Sequence, residues 1–227
     1  NGEIKSSGML FSEGYPGYTR GVAASGPGEV VVTTANGVVA RFRPDKFEHE
    51  ILAQGFDELY GIAIGPDGAV AFADQATGRV HSVKSGKVDE LASGLKQPSG
   101  VAVGSDGTVY VAESGGGRVV KLAGSRTETV VDSLKRPHGI LVRDGNLYIV
   151  DAGAKEVVEF DVAKRTRRAI ASQLPVGVPP GVGSHRLSGM PGMSGGAGAF
   201  SGIAAGADGT LYVSGDADGT VLALKPR

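Results

Sequence analysis

Three acidic residues recur at matching positions in a repeated glycine-led phrase, and they are the first candidates for chemistry. Asp74, Glu113 and Asp151 each follow the leading glycine of their copy by 12 or 13 residues. Carboxylate oxygens are the ligands that hard divalent cations prefer in proteins. We therefore expect Glu113, Asp151 and Asp74 to hold one divalent cation, magnesium or calcium. The alternative is that each carboxylate accepts hydrogen bonds from the amides of the turn that follows it.

The residue just before each leading glycine forms a second series, whose members open the innermost strand of each copy. The series reads Arg20, Tyr60, Ser99, His138 and Ser201. If the two series share a rim, both face one mouth of the fold. His138 is then the candidate catalytic residue, because an imidazole beside a bound metal can take a proton from a substrate. Tyr60, His138 and Asp151 are the predicted ligand contacts at this mouth.

An irregular segment, residues 176–200, interrupts the repeat with glycine, proline and methionine and shows no strand-like alternation. We expect a long loop that contacts a ligand or partner through Met190 and Met193. A copper site that combines these thioethers with His185 is the chemical alternative.

A fivefold repeat positions these residues. The leading glycines are Gly21, Gly61, Gly100, Gly139 and Gly202, at steps of 40, 39, 39 and 63 residues. Each copy reads as an apolar run, a turn with Asp-Gly or Pro-Gly, a β-branched run and a further alternating run, which is typical of a meander of strands. A period of about 40 residues with this pattern predicts an all-β fold, a β-propeller of four-stranded antiparallel blades. Five blades are readable, and the long last step leaves six as the alternative.

We interpret residues 1–227 as one propeller domain. The last copy ends after a third strand, whereas residues 3–11 have the pattern of a fourth strand without its first three. The two ends are therefore expected to complete one blade, so that the N-terminal strand closes the ring and removes free sheet edges.

Composition narrows the classes of partner. Among its 227 residues the chain has 23 basic and 24 acidic ones, a net charge of −1 and no cysteine. Nucleic acid is not an expected partner, because the chain lacks a net positive charge and aromatic residues among its basic ones. No apolar stretch approaches the roughly 18 residues that span a bilayer, so no membrane span is expected. Since the chain begins with Asn1 and not with Met, we expect a mature or excised piece, monomeric or part of a longer protein. An extracytoplasmic or secreted location is expected for a sensor domain of the kind described next.

The phrases QPSGVAVGSDGTVYVAESGGGRVVKL and RPHGILVRDGNLYIVDAGAKEVVEF resemble NHL repeats. Residues 97–131 look like the sensor propellers of bacterial receptor serine/threonine kinases, which implies a sensor or scaffold domain that presents its rim or mouth to a protein, peptide or glycan. The phrase PHGI at residues 137–140 is similar to the one that supplies the catalytic histidine of virginiamycin B lyase, in the same superfamily as SMP-30/gluconolactonase. That resemblance implies the alternative, a lyase or hydrolase that uses a divalent metal and His138 on a cyclic ester or lactone.

Overall fold

The computed structural model describes residues 19–34, 36–46, 48–124, 126–177 and 200–225. Within these residues, the regular elements are β-strands apart from one turn of 3-10 helix at Pro44–Lys46. The strands form five antiparallel sheets, which are the blades of a β-propeller. The all-β class, the antiparallel blades and the five readable repeats are therefore confirmed.

The first three blades each contain four strands that pair in sequence order. Blade 1 consists of β1 (Thr19–Gly26), β2 (Glu29–Thr34), β3 (Val38–Arg43) and β4 (Glu48–Gln54). Blade 2 consists of β5 (Leu59–Ile64), β6 (Val70–Asp74), β7 (Arg79–Lys84) and β8 (Lys87–Ala92). Blade 3 consists of β9 (Pro98–Val103), β10 (Val109–Glu113), β11 (Arg118–Ala123) and β12 (Arg126–Val131).

The last two blades differ in strand number within the described part of the chain. Blade 4 consists of β13 (Pro137–Arg143), β14 (Asn146–Asp151), β15 (Glu156–Asp161) and β16 (Thr166–Ala171). Blade 5 consists of β17 (Ile203–Ala205), β18 (Leu211–Gly215) and β19 (Thr220–Leu224). The strand expected at residues 3–11, and with it the closure of the ring, lies outside the described residues. None of the described helical segments is long and apolar enough to cross a membrane.

Asp-Gly turns join the first and second strands of several blades. In blade 3, the carboxylate of Asp106 accepts a hydrogen bond from the N–H of Thr108 over 3.0 Å, and Gly107 has a φ of +83°. A side chain is strained at that φ, whereas glycine adopts it freely. This dipeptide therefore sets both the tightness of the turn and the register of the two strands that it joins.

The hydrophobic core is divided into layers between neighbouring blades. One buried cluster combines Val31 and Val39 of blade 1 with Leu59 and Phe72 of blade 2. Equivalent clusters join blades 2 and 3, blades 3 and 4, and blades 4 and 5. Because these layers exclude water on both faces of the inner strands, the blades pack into one body around a central channel.

The leading glycine of each of the first four blades lies against the backbone of the next blade. A Cβ atom on any of them would lie 2.2–2.6 Å from a carbonyl oxygen, a distance that no side chain tolerates. The four contacts join Gly21 to Tyr60, Gly61 to Ser99, Gly100 to His138, and Gly139 to Ser201. We call this set of contacts the glycine collar, and it sets how closely the innermost strands approach one another.

Hydrogen bonds reinforce the glycine collar from inside the blades. The Thr33 hydroxyl accepts from the N–H of Gly21 at 2.9 Å and donates to the carbonyl of Tyr60 at 2.6 Å. The Ser99 hydroxyl donates to the carbonyl of Pro137 at 3.0 Å. These buried hydroxyl groups tie one blade to the next at the ends of the innermost strands.

Within the described residues, the contacts that join the other neighbouring blades do not recur between blade 5 and blade 1. A Cβ atom on Gly202 would meet only the Ser214 hydroxyl, at 3.6 Å, in the described part of the chain. No buried apolar cluster among the described residues joins these two blades. Val22 of blade 1 and Val221 of blade 5 are accordingly 60% and 71% exposed.

The glycine collar predicts an asymmetric response to alanine. Gly100→Ala is expected to lower the free energy of unfolding by about 1–3 kcal/mol, because the new methyl group overlaps the His138 carbonyl and forces blades 3 and 4 apart. Gly202→Ala is the matched control and is expected to change it by less than about 0.5 kcal/mol. Urea unfolding of both variants measures the difference, and equal losses would contradict the role given to the collar.

Candidate functional site

The channel between the innermost strands contains a cavity of about 330 Å³. All five blades line it, each with its leading glycine and the apolar residue that follows: Gly21, Val22, Gly61, Ile62, Gly100, Val101, Gly139, Ile140, Gly202 and Ile203. Ligand sites in proteins begin at about 300 Å³. The cavity therefore has room for a small molecule or for one side chain of a larger partner.

Further residues of blades 1 and 5 also line this cavity. They are Ala204, Tyr212, Ser214 and Val221 of blade 5, together with Arg20 and Phe200. Tyr212 is 43% exposed.

Arg20 is the charged residue among the described residues that line the cavity. Its guanidinium carbon lies 4.7 Å from the centroid of the Tyr60 ring, and its Nη1 donates to the carbonyl of Leu59 over 3.4 Å. Its Nε is buried and has no hydrogen-bond partner. The guanidinium therefore keeps donor capacity that the described residues do not use.

Phe200 connects the two residues that were predicted to bind a ligand. Its ring centroid lies 5.7 Å from that of Tyr60 and 6.1 Å from that of His138, with which it is stacked at 24°. Tyr60 and His138 are themselves buried, at 3% and 5% exposure. Phe200 lines the cavity, so it presents this aromatic cluster to the channel and would stack on an apolar ligand.

His138 is held as a neutral imidazole. Its Nδ1 accepts a hydrogen bond from the N–H of Ser201 over 3.3 Å. Burial lowers the pKa of His138 to about 4, and the carboxylate of Asp216 opposes this effect only in part. A neutral ring that accepts at Nδ1 carries its proton on Nε2. At neutral pH the ring is therefore arranged to donate a hydrogen bond from Nε2.

The carboxylate of Asp151 fastens a loop. It accepts hydrogen bonds from the N–H groups of Lys135 at 2.7 Å and Arg136 at 2.8 Å, just before strand β13. It also accepts from Gly153 and Ala154, both at 3.2 Å, in the turn after strand β14. Both oxygens thus serve the backbone, which is the arrangement that the turn pattern offered as the alternative to a metal.

Glu113 and Asp74 occupy the equivalent places in blades 3 and 2. Glu113 accepts from the N–H of Lys96 at 2.6 Å and forms an ion pair with Arg118. Asp74 accepts from the N–H groups of residues 57 and 58 at 3.4 and 3.3 Å. Each carboxylate is at most 2% exposed and joins the end of the second strand to the loop before the first.

These three carboxylates lie on one rim but in separate blades. Asp74 pairs with Leu59, and Asp151 with Pro137, so each stands beside the residue that precedes the leading glycine of its blade by two positions. Within the described ranges, no group of three or more His, Asp or Glu side chains converges as a metal site would. The magnesium or calcium assignment stays a prediction.

Asp216 was missed by the sequence interpretation, because it stands one residue beyond the position that the repeat marks. Its carboxylate accepts from the N–H of Gly177 at 2.8 Å and from the Ser201 hydroxyl at 2.5 Å. Blade 5 is thereby fastened to the chain ahead of the inserted segment. The sequence does carry a signal for this contact. The phrase SQLPVG of residues 172–177 resembles SLKRPHG of residues 133–139, the loop that Asp151 fastens in blade 4, although it is one residue shorter.

The predicted contacts of the irregular segment are not part of the described structure. Met190, Met193 and His185 lie outside the described residues, and their role stays a prediction.

Phe200 was not singled out by the sequence, because a lone aromatic residue at the end of a glycine-rich segment has no counterpart in the other copies. Only the circular arrangement of the blades brings it between Tyr60 and His138.

Comparison with known sequences identifies one repeat type. Residues 95–122 match the NHL repeat, in agreement with the resemblance of blade 3. No curated protein matches the sequence. The chain is thus a β-propeller that contains an NHL repeat.

Solved structures with a similar fold include a chain of a protein–protein complex and two lyases. A chain of a nidogen/laminin complex has a TM-score of 0.60 at 18% identity, over 66% of this chain and 61% of that one. A streptogramin B lyase has a TM-score of 0.62 at 16% identity, and the match covers 89% of this chain and 63% of that one. A catalytically inactive His-to-Ala variant of virginiamycin B lyase from Staphylococcus aureus, with quinupristin, also has a TM-score of 0.62 at 16% identity. That match covers 91% of this chain and 69% of the lyase chain. The chain spans less than two thirds of the first two, and at these identities the likeness is one of fold.

Because the Asp151 carboxylate holds a loop through hydrogen bonds, replacing one of its oxygens by an amide nitrogen is expected to destabilise the protein. Asp151→Asn is expected to lower the free energy of unfolding by about 1–3 kcal/mol, because an amide group would point a donor at backbone donors. Asp144→Asn is the matched control, since that side chain is 83% exposed and pairs only with Arg143. Urea unfolding separates the two, and similar values would contradict the buried hydrogen-bond network.

The buried imidazole predicts a dependence of stability on pH. Because the pKa of His138 falls from 6.5 to about 4 on folding, the stabilisation is fully present above about pH 6.5 and is lost as the pH falls toward 4. The loss is on the order of 3 kcal/mol. His138→Gln is expected to remove this part of the pH dependence, as measured by urea unfolding across that range. Parallel profiles for the two proteins would contradict it.

Proposed function

We propose that this propeller is a ligand-binding module that takes an apolar side chain of a peptide, or a small molecule, into the mouth of its channel. The observation that carries the proposal is the cavity of about 330 Å³ that all five blades line, with Phe200 in its wall and Tyr60 and His138 behind that ring. Its glycine and aliphatic surface suits recognition by shape and apolar contact.

The polar groups around the cavity support binding over catalysis. Asp151 and Glu113 direct both carboxylate oxygens at groups of the protein itself. The Ser214 hydroxyl, which lines the cavity, accepts from the N–H of Gly202 at 2.7 Å. Because these groups already have partners, the wall offers a ligand few reactive atoms and a preformed surface.

The architecture suits a sensor or scaffold role. The glycine collar and the layered core hold the wall of the cavity in place, so little conformational entropy is lost when a ligand binds. The loops at the rim can carry further contacts to a protein, peptide or glycan. The similar fold in a nidogen/laminin complex makes a protein ligand a reasonable class to test.

A lyase or hydrolase that uses His138 with Glu113, Asp151 and a divalent metal is the second candidate. It is favoured by the position of a neutral imidazole beside the channel and by the fold shared with two lyases. In the described state, however, Nδ1 accepts from Ser201 and Nε2 carries the proton. The ring would have to exchange its tautomer or lose that hydrogen bond before it could act as a general base.

The binding proposal is tested with a neutral apolar reporter, N-phenylnaphthylamine, whose fluorescence rises in apolar surroundings. Ala204→Trp is expected to weaken its binding by about tenfold or more, because the indole would fill the cavity. Ala205→Trp is the matched control, since Ala205 is the next residue of β17 and does not line the cavity. Both variants are checked for a native unfolding transition.

Two outcomes would overturn the proposal. One is that the reporter fails to bind the wild type, or binds both variants equally. The other is turnover: quinupristin is incubated with the protein and magnesium or calcium, and its products are followed by mass spectrometry. Cleavage by the wild type that His138→Gln abolishes would replace the binding role with the lyase.

A further inference from the structure

Among the described residues of the channel wall, one side chain carries a formal charge. Among the residues that line the cavity, Arg20 has a formal charge, and the others are glycines, apolar residues, Tyr212 and Ser214. A cavity with low polarity strengthens the interaction between this cation and any anion that reaches it. Such a wall would favour an anionic ligand over a neutral one of the same shape.

Arg20 has no counter-ion within the part of the chain that the structure describes. Its hydrogen bond to the Leu59 carbonyl is long, at 3.4 Å, and its buried Nε has no partner. Six other arginines of the described chain form ion pairs with carboxylates: Arg41, Arg43, Arg79, Arg118, Arg143 and Arg168. Among the described residues, Arg20 is therefore a guanidinium without a carboxylate partner in the wall of the channel cavity.

The guanidinium is also held in position before a ligand arrives. The Tyr60 ring lies 4.7 Å beneath its central carbon, and the Leu59 carbonyl accepts from its Nη1. A planar guanidinium that is stacked on a ring matches a carboxylate through two parallel hydrogen bonds. Because the side chain is already ordered, little entropy is lost when these bonds form.

We propose that the ligand of this channel is an apolar carboxylate, whose anionic group pairs with Arg20 while its apolar body occupies the cavity beside Phe200 and Ile140. This inference rests on the proposed function and names the chemical class that the same site selects. The carboxylate belongs either to a small organic acid or to the C-terminus of a peptide that ends in an apolar residue. Both sources present the same chemistry to Arg20.

The test compares matched acids and amides in direct titrations followed by NMR and in displacement of N-phenylnaphthylamine. Phenylbutyrate is expected to bind the wild type about tenfold or more tightly than phenylbutanamide, since only the acid pairs with the guanidinium. N-acetyl-Ala-Phe with a free C-terminus is compared with its C-terminal amide in the same way. The tighter of the two acids identifies the source of the carboxylate.

Substitution of Arg20 isolates the charge. Arg20→Gln is expected to bring each acid and its amide to within about twofold of one another, because the cation is gone. Arg20→Lys is expected to keep part of the preference through its charge. Arg143→Gln is the matched control, because Arg143 pairs with Asp144 and does not line the cavity. N-phenylnaphthylamine binding by each variant verifies that the cavity is intact.

The outcomes separate this inference from the proposed function. Equal binding of acid and amide to the wild type, with the reporter still bound, would overturn the carboxylate preference and leave the binding module standing. A preference that survives in Arg20→Gln would equally overturn the role of Arg20. Binding of neither ligand nor reporter to the folded wild type would overturn both proposals.

Discussion

Contact between a glycine and a carbonyl oxygen of the next blade is the constraint on which the rest of this structure depends. In the first four blades the innermost strands approach so closely that any side chain at the leading glycine would overlap the neighbouring backbone. This approach brings the start of every inner strand to one mouth of the channel. The chemistry of that mouth is therefore decided by the residues on either side of the glycine.

The same constraint explains the buried carboxylates. Close packing of the inner strands forces the chain to enter each blade through a tight loop whose N–H groups are removed from water, and such groups need acceptors. Asp74, Glu113 and Asp151 supply them at the end of the second strand, and Asp216 supplies one for blade 5. The acidic residues are therefore regularly spaced because each of these blades has loop N–H groups that need an acceptor.

The features that set the site apart are the ones that do not repeat. Arg20 and Phe200 of the wall, and His138 behind it, occur in single copies, whereas the other lining residues are mostly glycine and aliphatic residues, with Tyr212 and Ser214. Recognition by this channel would accordingly depend on a few individual side chains displayed by a uniform scaffold.

The sequence by itself determined the class of fold, the strand order within each blade and the Asp-Gly turns, because each copy carries its own periodicity and turn chemistry. It also placed Asp74, Glu113 and Asp151 at equivalent positions on one rim. Only the tertiary structure decided what their oxygens contact and that Phe200 lies between Tyr60 and His138. Local hydrogen-bond patterns specify a blade, whereas contacts across the channel depend on how the blades pack around a common axis, which no single copy encodes.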